Sequence, residues 1–300
     1  MTPAIGVFDS GFGGLTVLRA LMARIPHAQF AFLGDTARLP YGSKSRRTIA
    51  RYAAQSARFL VQEQGAQFLV IACNTASALA LDAIQDAVPV PVLGVIQPGA
   101  AAARAASHTG DVLVIATDAT VHSHAYSAAC QAVGLRALEK ACPLLVPLVE
   151  EGWLEDGPTI AASAAQAASA PPQEAAPPQV EVTAEVIRIY LAELIAEAAA
   201  QELTPDTLVL GCTHYPLLRP LLERVMAGAG HSGIRVIDSA EAAAEAAVQL
   251  VNAQFSLSAA PAAAPGLCCF ATDSVEKFER LGSRFLGHPV GKVELIDLGG

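Results

Sequence analysis

Two cysteines of the 300-residue chain stand where a thiol can do chemistry. The apolar run Phe68–Ala72 leads into Cys73-Asn74-Thr75-Ala76-Ser77, and Leu208–Gly211 leads into Cys212-Thr213-His214-Tyr215-Pro216. Each is a buried-strand pattern, a small residue, a Cys, polar residues and a helix start, so the chain carries a weak internal repeat. In open α/β sheets ligands bind beyond the carboxyl ends of the strands. A Cys there lies beside helix N-terminal N–H groups, which favour its thiolate and draw its pKa below the usual value of about 8.5. Two such thiols face one pocket if the two units pack with their strand ends converging. Cys130, Cys142, Cys268 and Cys269 read as small packing residues. No Cys-x-x-Cys pair is present, so no metal site is expected, and the wide, irregular spacing is not a disulfide scaffold.

Three further segments could line such a pocket. Asp9-Ser10-Gly11-Phe12-Gly13-Gly14 follows a strand and opens a helix, but matches neither the P-loop nor the dinucleotide spacing. Its backbone N–H groups suit a small anion such as a carboxylate, with Asp9 as an acceptor and Ser10 as a donor. Gly34–Gly42, with Tyr41, either lines a pocket or forms a solvated turn. Glu150-Glu151 reads by itself as a solvated helix start, and His27, His122 and His124 as surface or packing residues.

The elements that must position these residues alternate short apolar runs with helical patterns. Strands are expected at 4–8, 29–34, 68–72, 90–95, 112–116, 207–211 and 267–272. Helices are expected from about Leu15, over 45–63, near Thr75, after Pro216 and over 274–286. Apolar strands without polar alternation, separated by helices, indicate parallel sheets covered on both faces, hence an α/β fold of two doubly wound units. Pro158–Pro178, rich in Ala and Pro, is expected as a mobile surface insertion. With 53% hydrophobic and 16% charged residues and a net charge of −9, the chain is neither disordered nor a general nucleic-acid binder. No apolar run spans a membrane and no basic leader opens the chain, so a cytoplasmic protein is expected.

These segments together resemble the glutamate racemases, the cofactor-independent amino-acid racemases of bacterial cell-wall synthesis. The resemblance runs through Ile5–Leu18, Leu33–Lys44, Ile71–Ser77, Pro91–Pro98, Ile115–Ser123, Cys142–Glu151, Val209–Leu217 and Val236–Ser239. It implies two similar α/β domains with the active site between them, here 1–97 with 210–300, and 98–209 containing the insertion. It implies Cys73 and Cys212 as the two acid/base thiols, with Asp9, His214 and Glu150 supporting them, Glu150 as the partner of His214. It implies substrate contacts at Asp9, Ser10, Tyr41, Gly42, Asn74, Thr75, Thr117, Thr120, Thr213 and His214. No cofactor, a glutamate substrate and a homodimer follow from the same resemblance. Inverting an α-carbon needs a base and an acid on opposite faces, which two thiols from two strands supply and two residues on one helix face could not. An aspartate racemase, a thiol hydrolase using one Cys with His214, and a non-catalytic binding relative are the rival readings.

Overall fold

The computed structural model describes residues 3–154, 178–254 and 266–299. The expected insertion at Pro158–Pro178 lies outside them except for Pro178, the first residue of a helix that runs to Ala200. Ten strands are described: β1 (Ala4–Asp9), β2 (Gln29–Gly34), β3 (Phe68–Ile71), β4 (Val92–Gly94), β5 (Asp111–Ala116), β6 (Arg136–Ala141), β7 (Thr207–Gly211), β8 (Arg235–Asp238), β9 (Gly266–Ala271) and β10 (Val293–Leu295). They form a six-stranded sheet in the order β10-β9-β2-β1-β3-β4 and a four-stranded sheet in the order β6-β5-β7-β8. Every pairing is parallel. Strands β3, β5 and β7 are buried along their whole length. Their uninterrupted Val, Leu and Ile runs therefore follow from cover on both faces.

The two sheets repeat one plan. In the first, β1 has β2 on one side and β3 on the other; in the second, β5 has β6 on one side and β7 on the other. The chain thus reverses its direction of travel across the sheet next to β1 and again next to β5. Such switch points open a crevice beyond the strand ends. Cys73 follows β3 and Cys212 follows β7, so the two elbows occupy equivalent places in the two lobes.

The lobes divide the chain differently from the expectation at one boundary. A cut at 209/210 falls inside β7, which pairs with β5 from Val112↔Thr207 to Ala116↔Gly211. β8 then pairs with β7, so 207–238 belongs to the second sheet and the chain returns to the first only at β9. The reason is the switch point itself, since β7 completes the second crevice. The helix expected over 45–63 runs from Arg46 to Arg58, capped by the Ser45 hydroxyl, and widens into a π turn at Phe59–Glu63. Strands β6, β8 and β10 escape the sequence pattern because they are edge-proximal and carry exposed or charged residues. Among the described residues no helix is long and apolar enough to cross a membrane.

Candidate active site

A cavity of about 720 Å³ opens between the two lobes at the carboxyl ends of the strands. Both elbow cysteines line it, together with Ser10, Tyr41, Gly42, Asn74, Thr75, Thr117, Glu150, Thr213 and His214. Of the residues expected at the site, Asp9 and Thr120 stand just behind this lining, each almost wholly buried. Sequence reasoning missed Leu39, Ser43, Asp118, Pro143, Val146, Pro147 and Lys277, which also line the cavity. The apolar ones carry no chemistry that would single them out. Lys277 lies in a helix, Val275–Leu286, beyond every motif singled out in the sequence.

The first elbow is held by a helix start. Cys73 caps the helix Asn74–Leu79, and its sulfur accepts the Ala76 N–H at 3.4 Å. Its thiol donates to Ser10 Oγ at 3.4 Å. The helix-end contact does not win. Burial, reinforced by the neighbouring Asp9 charge, pushes the Cys73 thiol up to about 12, against the pull of Ser10 and the Ala76 amide. The expected depression of this thiol is thus reversed, because one amide in a closed site offsets less than lost hydration costs. Asp9 itself is raised by burial, with His214 and the amides of Gly14 and Gly11 opposing. The Gly11 N–H donates to Asp9 Oδ2 at 3.0 Å.

The second elbow is organised by charge. His214 Nδ1 lies 4.0 Å from Cys212 Sγ, and His214 Nε2 lies 3.4 Å from Glu150 Oε1. Lys277 Nζ donates to Glu150 Oε2 at 3.1 Å. Burial works against a charged His214, but Cys212 and Glu150 outweigh it and hold the imidazole up to about 10. Glu150 is itself held below its ordinary value: burial opposes the charge, and His214 and Lys277 overcome it. Glu150 is not a solvated helix start. It ends the helix Leu145–Glu150 with its carboxylate turned to the cavity. The His214 ring is wedged between Phe12 and Phe285, with centroids 6.1 and 5.0 Å away. These phenylalanines belong to the first lobe, so the second elbow is gripped from across the cleft.

Hydroxyls and amides join the lobes around the cavity. Thr75 of the first lobe meets Thr117 at 3.1 Å and Thr120 at 3.3 Å, and the latter two meet at 2.9 Å. Tyr126 donates to Asn74 Oδ1 at 2.7 Å, which fixes the amide and leaves Asn74 Nδ2 buried without a partner. Asp9 Oδ1 is also buried without a hydrogen bond. Unsatisfied buried polar groups cost about 1–3 kcal/mol each, so their gathering at one cavity marks a place built for a polar ligand. His122 and His124 lie on the exposed surface, away from this cluster.

A family description of the Asp/Glu/Hydantoin racemases matches residues 15–170. The chain is 49% identical to the glutamate racemase of Koribacter versatilis, over 99% of this chain and 98% of that protein. It is 44% identical to the glutamate racemase of Syntrophus aciditrophicus, over 98% and 96% of the two chains. The crystal structure of the Francisella tularensis glutamate racemase in complex with D-glutamate superposes with a TM-score of 0.80 at 30% identity, covering 99% of this chain and 98% of that one. With matches at up to 49% identity over 99% of its length, the chain belongs to the glutamate racemase family, whose members are isomerases.

Proposed function

We propose that this cavity interconverts L- and D-glutamate by two-thiol proton transfer, with Cys73 and Cys212 on opposite faces of the substrate α-carbon. The observation that carries the reading is that the two cysteines come from equivalent switch points of two different sheets and line one cavity. One sulfur, as thiolate, takes the α-proton; the other, as thiol, returns a proton to the opposite face. A positioned general base supplies roughly 10²–10⁴-fold, whereas enzymes commonly reach about 10⁶-fold or more. The remainder falls to preorganised donors aimed at the substrate carboxylate as it gains enolate character. Asn74 Nδ2, unpartnered and fixed through Tyr126, is the best placed of these, with Ser10, Thr75, Thr117 and Thr213 around the same space. Tyr41 and Gly42 contribute from the loop after β2, and Thr120 steadies Thr75 and Thr117 from behind. Asp9 keeps Cys73 a strong base once ionised, and His214, paired with Glu150, stands 4.0 Å from the Cys212 sulfur.

The reading includes supply of D-glutamate to peptidoglycan, no pyridoxal or metal cofactor, a cytoplasmic location and a homodimer. Aspartate is the nearest competing substrate, and the full-length matches to glutamate racemases do not favour it. The test uses D2O. A thiol carries one proton, so early product formed from one enantiomer carries deuterium at the α-carbon while remaining substrate stays protiated. Cys73→Ala and Cys212→Ala each abolish inversion. Protium retained in early product, or inversion by either variant, would overturn the two-thiol assignment.

A further inference from the structure

We infer that Asp35, outside the cavity, is a positioning residue that sets the substrate-binding loop Thr36–Ser43 through the phenol of Tyr41. The inference rests on the reading of Tyr41 and Gly42 as substrate contacts. Asp35 directly follows β2 and is fully buried. Its backbone N–H donates to Asp9 O at 3.0 Å, which pins it beside the end of β1. Three donors converge on its carboxylate. Tyr41 Oη donates to Oδ2 at 2.6 Å, Thr272 Oγ1 to Oδ1 at 2.9 Å, and Arg38 Nη1 reaches Oδ2 at 3.5 Å. Burial pushes the Asp35 carboxyl above its ordinary value, against the pull of Tyr41, Arg38 and Thr272, so these three donors are what offsets the cost of a charge here.

The neighbouring contacts show what the carboxylate organises. Thr272, just past β9, also accepts the Ala37 N–H at 2.9 Å, and Thr36 Oγ1 accepts the Asp273 N–H at 2.9 Å. The start of the loop is therefore laced to the end of β9, and Asp35 is the point where that lacing meets Tyr41. The Arg38 guanidinium lies 4.3 Å above the Tyr52 ring, and Tyr52 packs beside Tyr41 at 6.4 Å. Tyr41 is thus held by its hydroxyl from behind and by its ring from the side, while Tyr41, Gly42 and Ser43 line the cavity.

One chemical consequence follows. A phenol has a single proton, and that of Tyr41 is given to Asp35. The hydroxyl is therefore spent behind the loop, on a carboxylate outside the cavity, and offers the substrate no donor. Carboxylate recognition by this loop then falls to its backbone N–H groups, whose position depends on the Asp35 anchor.

The experiment is a double-mutant cycle of Asp35→Asn, Asp35→Ala and Tyr41→Phe, with kcat and KM measured for both enantiomers and thermal melting recorded for each variant. Asn keeps one acceptor but places an amide N–H against a hydroxyl donor. It should raise KM less than Ala, for which a rise of roughly ten- to a hundred-fold is expected from loss of a charge-assisted hydrogen bond. In both, kcat should stay within about three-fold. Tyr41→Phe should raise KM comparably, and the Asp35→Ala/Tyr41→Phe pair should be no worse than the poorer single variant, because both cut one link. Multiplicative KM effects would overturn the proposal, as would a loss of melting temperature with KM unchanged, which is the mark of a purely structural carboxylate. If Tyr41→Phe alone leaves KM unchanged, the substrate-loop reading fails with it. If Tyr41→Phe raises KM and both Asp35 variants do not, only the Asp35 proposal fails.

Discussion

Gly13 is where the first lobe approaches the second elbow, and replacing it by Ala tests whether catalysis depends on that approach. Its backbone is outside the left-handed region, so Ala can adopt it without strain and the effect is steric. A Cβ at this position would lie 2.6 Å from both Cε1 and Nδ1 of His214, and in contact with Thr213 Oγ1. Ordinary contact begins near 3.4 Å, so the imidazole must retreat by roughly 0.8 Å. Thr213 can rotate away, but the His214 ring is held between Phe12, Phe285 and Glu150. The displacement therefore passes into the spacing between His214 and Cys212 and into the fit of the lobes. A misplacement of about 1 Å costs on the order of 10²-fold in rate, or roughly 2.7 kcal/mol of activation free energy. Gly13→Ala should accordingly lower kcat by about two orders of magnitude in polarimetric assays from either enantiomer. Gly228→Ala is the matched control, since its Cβ meets nothing within 4 Å at the end of a helix. That change should leave kcat unchanged and stabilise slightly, by about 0.4–1 kcal/mol. Wild-type kcat in folded Gly13→Ala would refute the claim that the two lobes are fitted to each other at this point.

Two more outcomes follow from the same geometry. Glu150 and Cys212 hold His214 up to about 10, so its charge adds stability that is fully present below pH about 6.5 and is lost as pH rises through about 10. Glu150→Gln should lower the His214 pKa, move the basic limb of the kcat/KM profile to lower pH, and flatten the fall in melting temperature over that window; unmoved limbs would show that Glu150 does not act through His214. Tyr215 donates its buried hydroxyl to Cys142 O at 2.9 Å and Ala116 O at 3.2 Å. Tyr215→Phe removes this hydroxyl, while Ala116 O keeps the Cys142 N–H and Cys142 O keeps the Leu145 N–H, so it should cost about 0.5–1.5 kcal/mol in chemical denaturation; a loss of about 3 kcal/mol or more would count against that reasoning.

The legible part of this protein was the part governed by local pattern. Runs such as Phe68–Ala72 and Thr207–Gly211 announce buried parallel strands because both of their faces are covered. A polar Cys-led elbow after such a run announces a crevice because strand ends are where open sheets leave space. What escaped was set by distant contacts. Lys277 reaches the site only because the helix Val275–Leu286 crosses toward the end of the helix Leu145–Glu150, where Arg284 also donates to Val149 O at 3.2 Å. Asp35 looked like one more polar residue of a loop, since its partner Thr272 stands 237 positions away in sequence. The direction of the Cys73 shift was misjudged for a related reason. A sequence reveals the helix start beside the thiol but not the packing of Phe8, Tyr41 and the rest of the first lobe's core around it, which strips its water.

The unequal surroundings of the two thiols bear on how a racemase can run both ways. Cys73 is pushed up to about 12 and so rests as a thiol, whereas Cys212 sits beside a cationic His214. Under the two-thiol proposal the form with Cys73 protonated is ready for the enantiomer whose α-proton faces the other sulfur. The other form, with Cys73 as the base, is scarce. Scarcity does not bias the reaction, because mirror-image substrates have equal free energies in water and kcat/KM must be the same in both directions. A thiolate that is hard to form is correspondingly more basic, so the rare form is offset by faster proton abstraction. The asymmetry can therefore appear only at saturation, where kcat and KM must differ between the enantiomers by one common factor. Removing the Asp9 charge with Asp9→Asn should narrow that gap while leaving the two kcat/KM values equal to each other. A gap that stays put would mean that something other than the protonation of Cys73 sets it.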